Sequence, residues 1–158
     1  MCIVGEMNKL QITLAVIKPH VVKNLFALES IQKRIECEFE VVGIREVVIS
    51  REMAERFYAE HRSKFFYNRL LSFITSGPSV ALILAAENAV SKWRQIMGPT
   101  KVYKTIYSEP DTIRGQFGLS DTRNACHGSD AMESALNEIN VFFPDFDFEE
   151  WRKNHPTL

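Results

Sequence analysis

Residues 10–19 read Leu-Gln-Ile-Thr-Leu-Ala-Val-Ile-Lys-Pro, and the frame of the whole chain is set here. The run is aliphatic and increasingly β-branched, and it ends where Pro19 removes the amide that a strand's ladder would need next. The pattern predicts a strand over 10–17, with Lys18 delivered at its exit. Working outward, residues 26–35 place Phe26, Leu28, Ile31 and Ile35 at near-helical spacing among Glu29, Lys33 and Arg34, which reads as an amphipathic helix. A second strand is expected over 39–49, carrying Val42, Ile44 and Val48. Ser50 then offers an N-cap for a helix over 51–60.

Further along, residues 68–75 form a short apolar helix closed by Gly77-Pro78. Residues 80–86 are a buried strand, and Asn88 caps a helix over 89–97 that Gly98-Pro99 stops. The stretch 98–111 is polar and turn-rich, long for a connection inside a compact domain, and is expected to be functional. Residues 124–127 read as a short strand. Asp130, with Glu133 three residues later, starts a helix that reaches Phe142 and breaks at Phe143-Pro144. No repeat, linker or low-complexity tract interrupts the order, so residues 1–158 are expected to form a single domain. The order fits β-α-β-β-α-β, the split βαβ of the ferredoxin-like α+β class, with an antiparallel sheet covered by helices. A doubly wound parallel sheet is the alternative, because helices separate most of the strands.

Composition narrows the functional classes. Lys and Arg number 19 against 20 Asp and Glu, a net charge of −1, which lacks the basic excess of a dedicated nucleic-acid binder. The longest apolar run, residues 80–86, is seven residues, against the roughly 20 that cross a bilayer, so no membrane association is expected. Cys2, Cys37 and Cys126 are odd in number and scattered, as suits reduced thiols. Residues 1–9 carry one basic residue and resemble no secretory or transit segment. Cytosol is the expected compartment, with mitochondria as the alternative.

Among the histidines, His20, His61, His127 and His155, no pair has the helical i, i+4 spacing of a metal site and no cysteine pair completes a zinc set. No protein metal site is expected. His61 sits among Glu60, Arg62 and Lys64 and His155 near the end of the chain, so both read as solvated. His127 precedes Gly128-Ser129-Asp130, which reads as a helix start whose amides would favour an anion; the plainer reading makes Gly128 a turn residue and Ser129 and Asp130 caps. An imidazole with one nitrogen held by a carboxylate can accept a phosphoryl group on the other. Cys126 is a poor partner for it, since neighbours on a strand point to opposite faces. Ser129 lacks the elbow of a serine hydrolase, and no glycine-rich phosphate loop is present. Any nucleotide would therefore be held by side chains, for which Lys18, Arg94, Thr100, Arg114 and the ring of Phe66 are suited.

The segment Asn124-Ala125-Cys126-His127-Gly128-Ser129-Asp130 resembles N-x-x-H-G-S-D, the signature of nucleoside diphosphate kinases. Ala15-Val16-Ile17-Lys18-Pro19, Ser76-Gly77-Pro78, Met97-Gly98-Pro99-Thr100 and Thr112-Ile113-Arg114-Gly115 follow the family's order, and the likeness is greatest to its divergent type 6. The resemblance implies transfer of a γ-phosphoryl group from a nucleoside triphosphate to a nucleoside diphosphate, in two half-reactions through a phosphohistidine. It implies His127 as nucleophile, oriented by Glu138 with support from Ser129, and Lys18 and Tyr58 beside the transferred phosphate. Asn124 and Lys18 would contact the ribose, Arg94, Thr100 and Arg114 the phosphates, and Phe66 and Leu70 the base. Magnesium would arrive with the nucleotide, and the chain would form a homo-oligomer, a dimer at least.

Three departures stand out from that resemblance. His20 replaces an acid after Lys18-Pro19, and Asp121 stands where a small apolar residue is usual near the base. The segment between Thr100 and Pro110 is about three residues longer than typical, in a connection already long for a compact domain. These departures keep a second function class in view, an interaction or scaffold protein on the same fold with weak or partner-dependent turnover.

Overall fold

The computed structural model describes residues 10–155; the readings made for residues 1–9, Cys2 included, lie outside them. Strand β1 (Leu10–Ile17) leads into a single-turn helix α1 (Pro19–Val22), whose Pro19 sits where its missing amide costs nothing. Helix α2 (Leu25–Glu38) is capped by Asn24, whose side chain accepts from the Ala27 amide. Strand β2 (Glu40–Val48) follows, then α3 (Arg51–Phe57), which Ser50 caps by accepting from the Met53 amide. A 3-10 turn (Ala59–His61) and α4 (Tyr67–Ile74) lead to β3 (Pro78–Glu87). Helix α5 (Ala89–Met97) follows Asn88, which takes a left-handed conformation with φ 52° and makes no side-chain cap; asparagine tolerates that backbone, which is why it suits the position.

The long connection is not a bare loop. It contains α6 (Val102–Ser108), anchored by the buried Val102 and Thr105, and is followed by α7 (Ile113–Phe117). Strand β4 (Cys126–Gly128) and α8 (Met132–Phe142) complete the expected order. The helix begins at Met132, after an Ala131 N-cap without a side-chain bond, so Asp130 does not start it and 127–130 is no helix N-terminus. The Asp130 carboxylate accepts from Arg94 Nη1 at 2.6 Å instead, a charge-assisted bond on the exposed surface. The final helix, α9 (Phe148–Asn154), was not anticipated, although Asp147 capping the Glu150 amide follows an Asp-x-x-Glu spacing that signals helix starts. His155 is only partly exposed rather than free in solvent: its Nδ1 lies 2.8 Å from the Trp151 carbonyl and its ring stacks on Trp151 at 4.6 Å.

The four strands lie in the order β2-β3-β1-β4 with every neighbouring pair antiparallel, which is the ferredoxin-like arrangement and excludes the doubly wound sheet. Both faces are covered. Ala15, Ile17, Leu82 and Leu84 pack with Ile31, Ile35 and Trp93 on one face, and Leu14, Val16, Ala81 and Ile83 with Ile74, Ile139 and Phe142 on the other. Burial on both faces explains why β1 and β3 read as continuous apolar runs. The outer strand β2 is exposed at Val41, Ile44 and Val48.

Candidate active site

The three residues of β4 pair with the end of β1, so that His127 lies opposite Val16 and Cys126 opposite Ile17. Alternation turns the Cys126 side chain into the core face shared with Trp93, and burial pushes its thiol up to about 11; it stays protonated and takes no part in nucleophilic chemistry. His127 points to the other side. Its Nε2 lies 3.2 Å from both oxygens of Glu138 on α8, and the Ser129 hydroxyl donates to Glu138 Oε2. The Trp93 indole donates to the His127 carbonyl at 3.0 Å, and Phe57 packs edge-on against the imidazole at 4.6 Å. Gly128 is needed for this approach, since a Cβ there would meet Trp93 and Met97.

With Nε2 facing a carboxylate, it carries the proton and Nδ1 is left with its lone pair. His127 and Glu138 line a cavity of about 210 Å³ together with Tyr58, His61, Asp130 and Asn137. Tyr58 is buried, and burial followed by the Glu138 charge raises its phenol far above the usual range, so it is a hydroxyl donor at any working pH. His61, which the sequence suggested was solvated, is half-buried on this wall, 6.1 Å from the Tyr58 ring and 5.7 Å from Phe66. The charged flank of His61 hid it; its place one turn after Tyr58 is the signal that could have found it.

A second cluster adjoins the same strand ends. Lys18 has 4% exposure and its Nζ donates to Asn124 Oδ1 at 2.7 Å. Burial, and then the Arg114 guanidinium, bring its ammonium down to about 7. Arg114, on α7, donates to the carbonyls of Gly98 at 2.8 Å, Cys126 at 3.0 Å and Asn124 at 3.3 Å, and reaches Thr100 Oγ1 at 3.4 Å. Lys18, Arg114, Asn124 and Thr100 thus form one hydrogen-bonded group. Arg94 stands apart from it, paired with Asp130 on the rim of the His127 cavity. Phe66 and Leu70 are one helical turn apart at the start of α4, linked to the cavity through His61. Asp121 is exposed, and its backbone carbonyl accepts from Asn124 Nδ2 at 3.0 Å. Among the described residues, no group of three His, Cys, Asp or Glu could hold a metal ion.

A family model described as nucleoside diphosphate kinase matches residues 11–148. The chain belongs to the nucleoside diphosphate kinase family. It is 48% identical over 142 residues to a nucleoside diphosphate kinase 6 of Danio rerio, covering 90% of this chain and 81% of that protein. It is 48% identical over 151 residues to the human protein of the same name, covering 94% and 81%. Among solved structures, an Aquifex aeolicus nucleoside diphosphate kinase superposes with a TM-score of 0.81 at 35% identity, over 85% of this chain and 96% of that one. Membership in this kinase family accounts for a fold that sets a carboxylate-bound histidine beside a cluster of buried cations.

Proposed function

We propose that this nucleoside diphosphate kinase family member moves the γ-phosphoryl group of a nucleoside triphosphate onto a nucleoside diphosphate in two half-reactions through phosphorylated His127. The observation that carries the reading is the bond from His127 Nε2 to Glu138, buttressed by Ser129. Nδ1 attacks the γ-phosphorus, the bond to the β,γ-bridging oxygen breaks, and the nucleoside diphosphate leaves with that electron pair. The imidazole becomes cationic while keeping its Nε2 proton, and the Glu138 carboxylate stabilises that charge. An incoming diphosphate's terminal oxygen then attacks phosphorus and the P–N bond breaks.

Lys18, Arg114 and Thr100 hold the phosphates, with Arg94 exchanging Asp130 for a phosphate oxygen, and Tyr58 donates to the transferred group. Asn124 and Lys18 take the ribose, and Phe66 and Leu70 the base. His61 joins the phosphate-facing wall. Magnesium enters as part of the nucleotide substrate, bound to its phosphates, and offsets their charge; the chain's own cations complement the remaining oxygens. The chain forms at least a dimer and works in the cytosol, with mitochondria as the alternative compartment. Among the described residues, no helix is long and apolar enough to cross a membrane.

The test is incubation of the pure protein with γ-labelled nucleoside triphosphate and magnesium, followed by a chase with a different diphosphate. Acid-labile, base-stable label on the protein that passes to the chased diphosphate is expected. Label that survives acid, or that persists in His127→Ala, overturns the mechanism. Nucleotide binding without label, even in excess enzyme, points to the second reading, an interaction protein on a kinase fold, for which the longer 100–110 segment is the motivating feature.

A further inference from the structure

Lys18 and Arg114 are both buried and of like charge, and after burial the Arg114 guanidinium is what lowers the ease with which Lys18 holds its proton. They do not bond to one another. Each is tied to the 124–126 backbone, but the element that carries Arg114 is a five-residue helix, α7, too short to hold its own position by internal bonds. Its start is fixed by Thr112 Oγ1, which accepts from the Gly115 amide at 3.2 Å. Its last carbonyl, that of Phe117, has no helical partner to accept from, as at any helix end.

His20 reaches that carbonyl. Its Nε2 lies 3.3 Å from Phe117 O, and since a carbonyl only accepts, Nε2 must carry the proton. The other nitrogen, Nδ1, is buried with no hydrogen-bond partner, which places the imidazole in the neutral Nε2–H form. The ring is held by Phe73 of α4 at 5.5 Å, over which the Arg123 guanidinium stands at 5.7 Å. Burial lowers His20 from its usual range, and the Lys18 and Arg123 charges lower it further, against the Phe117 carbonyl, which agrees with the geometry.

We propose that His20 is a positioning residue: by donating to the Phe117 carbonyl it ties α1 to the end of α7 and fixes the spacing of Lys18 and Arg114 for a nucleotide's phosphates. Lys18 lies two residues before His20, and Arg114 one helical turn before Phe117, so the bond closes a short brace between the two cations. A neutral donor serves here where a charge would not. A cation would add to the repulsion between Lys18 and Arg114, and a carboxylate would set acceptor against acceptor. The inference rests on the proposed nucleotide site but not on phosphoryl transfer.

The experiment is calorimetric titration of the full chain with ADP at pH 7.5, for the wild type, His20→Ala, His20→Asp and His20→Gln. Glutamine keeps an amide donor at the reach of Nε2. Expected are Kd values raised about fivefold in His20→Ala and His20→Asp, the scale of one neutral hydrogen bond, with His20→Gln within about twofold of wild type. A merely structural role would lower the melting temperature or the number of competent sites and leave Kd unchanged. Equal Kd values in all four proteins, or a His20→Gln as weak as His20→Ala, overturn the proposal, and so does a wild type that fails to bind ADP. Binding with the expected order of variants but no label from γ-labelled triphosphate overturns phosphotransfer alone.

Discussion

At Lys18 the local chemistry sets a pH dependence. Its ammonium, brought down to about 7 in the folded chain against 10.5 when exposed, has released its proton in the fold over a window where the unfolded chain still holds one. This group's contribution to stability therefore rises with pH between those values. Nucleotide binding has the opposite sign, because phosphates favour the charged lysine. Affinity for a nucleoside diphosphate should fall as pH rises above about 7, and binding at pH 8 should take up protons, read as a dependence of the calorimetric heat on buffer ionisation enthalpy. Lys18→Met should bind more weakly throughout and lose that uptake. At His127, Glu138→Ala should slow labelling at least ~100-fold, the scale of a lost electrostatic stabiliser of developing charge, while Ser129→Ala should cost about tenfold and keep the intermediate, as for one charge-assisted hydrogen bond. Single-turnover labelling separates these outcomes. Phe66 offers a ring face that every base can stack on, so purine and pyrimidine diphosphates should turn over comparably; a hundredfold preference would instead mark Asp121 as a reader of the base. The residues around His127 were legible because their types and order resemble a known signature. His61 was not, since its meaning comes from the cavity that folding places beside it.

Among the elements, the segment between α5 and α7 departs most from its reading. Turn residues at Gly98-Pro99 and Glu109-Pro110 concealed α6, whose Val102 and Thr105 are buried at a spacing too brief to stand out as periodic. Shortening the chain by three residues within 101–108 would rotate the rest of the helix by about 300° and dislodge one of those anchors, so it would not test loop length alone. Gly98 is a sharper probe. With φ at 81° and a Cβ that would meet the Thr112 side chain, Gly98→Ala combines left-handed strain with a clash. It should lose ~1–3 kcal/mol, a fall of about 5 °C in Tm at about 2–4 °C per kcal/mol for a chain of this size, and should loosen Thr100 and Arg114 together. An unchanged Tm would mean that the turn relaxes freely. The strands β1 and β3 are legible within about two residues at each end because both of their faces are buried, which leaves long apolar runs between turn residues. The start of α8 was misplaced because Asp130 has two uses, cap and ion-pair partner, and only the tertiary position of Arg94 decides between them.

For the whole molecule, the exposed Ile44 (57%) and Val48 (68%) lie along the outer strand β2, whose far edge has no strand partner among the described residues, an arrangement of edge and apolar side chains that proteins usually cover. A second copy is the occupant consistent with a homo-oligomer. Light scattering should report a dimer across a concentration series, with the longer segment weakening any larger assembly; a stable hexamer at the lowest concentration would refute that. Ile44→Glu should shift the mass toward the monomer while leaving the Tm of the monomer close to that of a mild surface variant. The short strand β4 carries a further consequence. It meets β1 only after more than a hundred residues of intervening chain, with His127 opposite Val16, and long-range pairing forms late because the loop it closes is entropically costly. During synthesis His127 is therefore installed near the end, after most of the sheet has been made. On refolding from denaturant, the capacity of His127 to take label should return later than the far-ultraviolet helical signal, so that the proposed chemistry waits until the fold is complete.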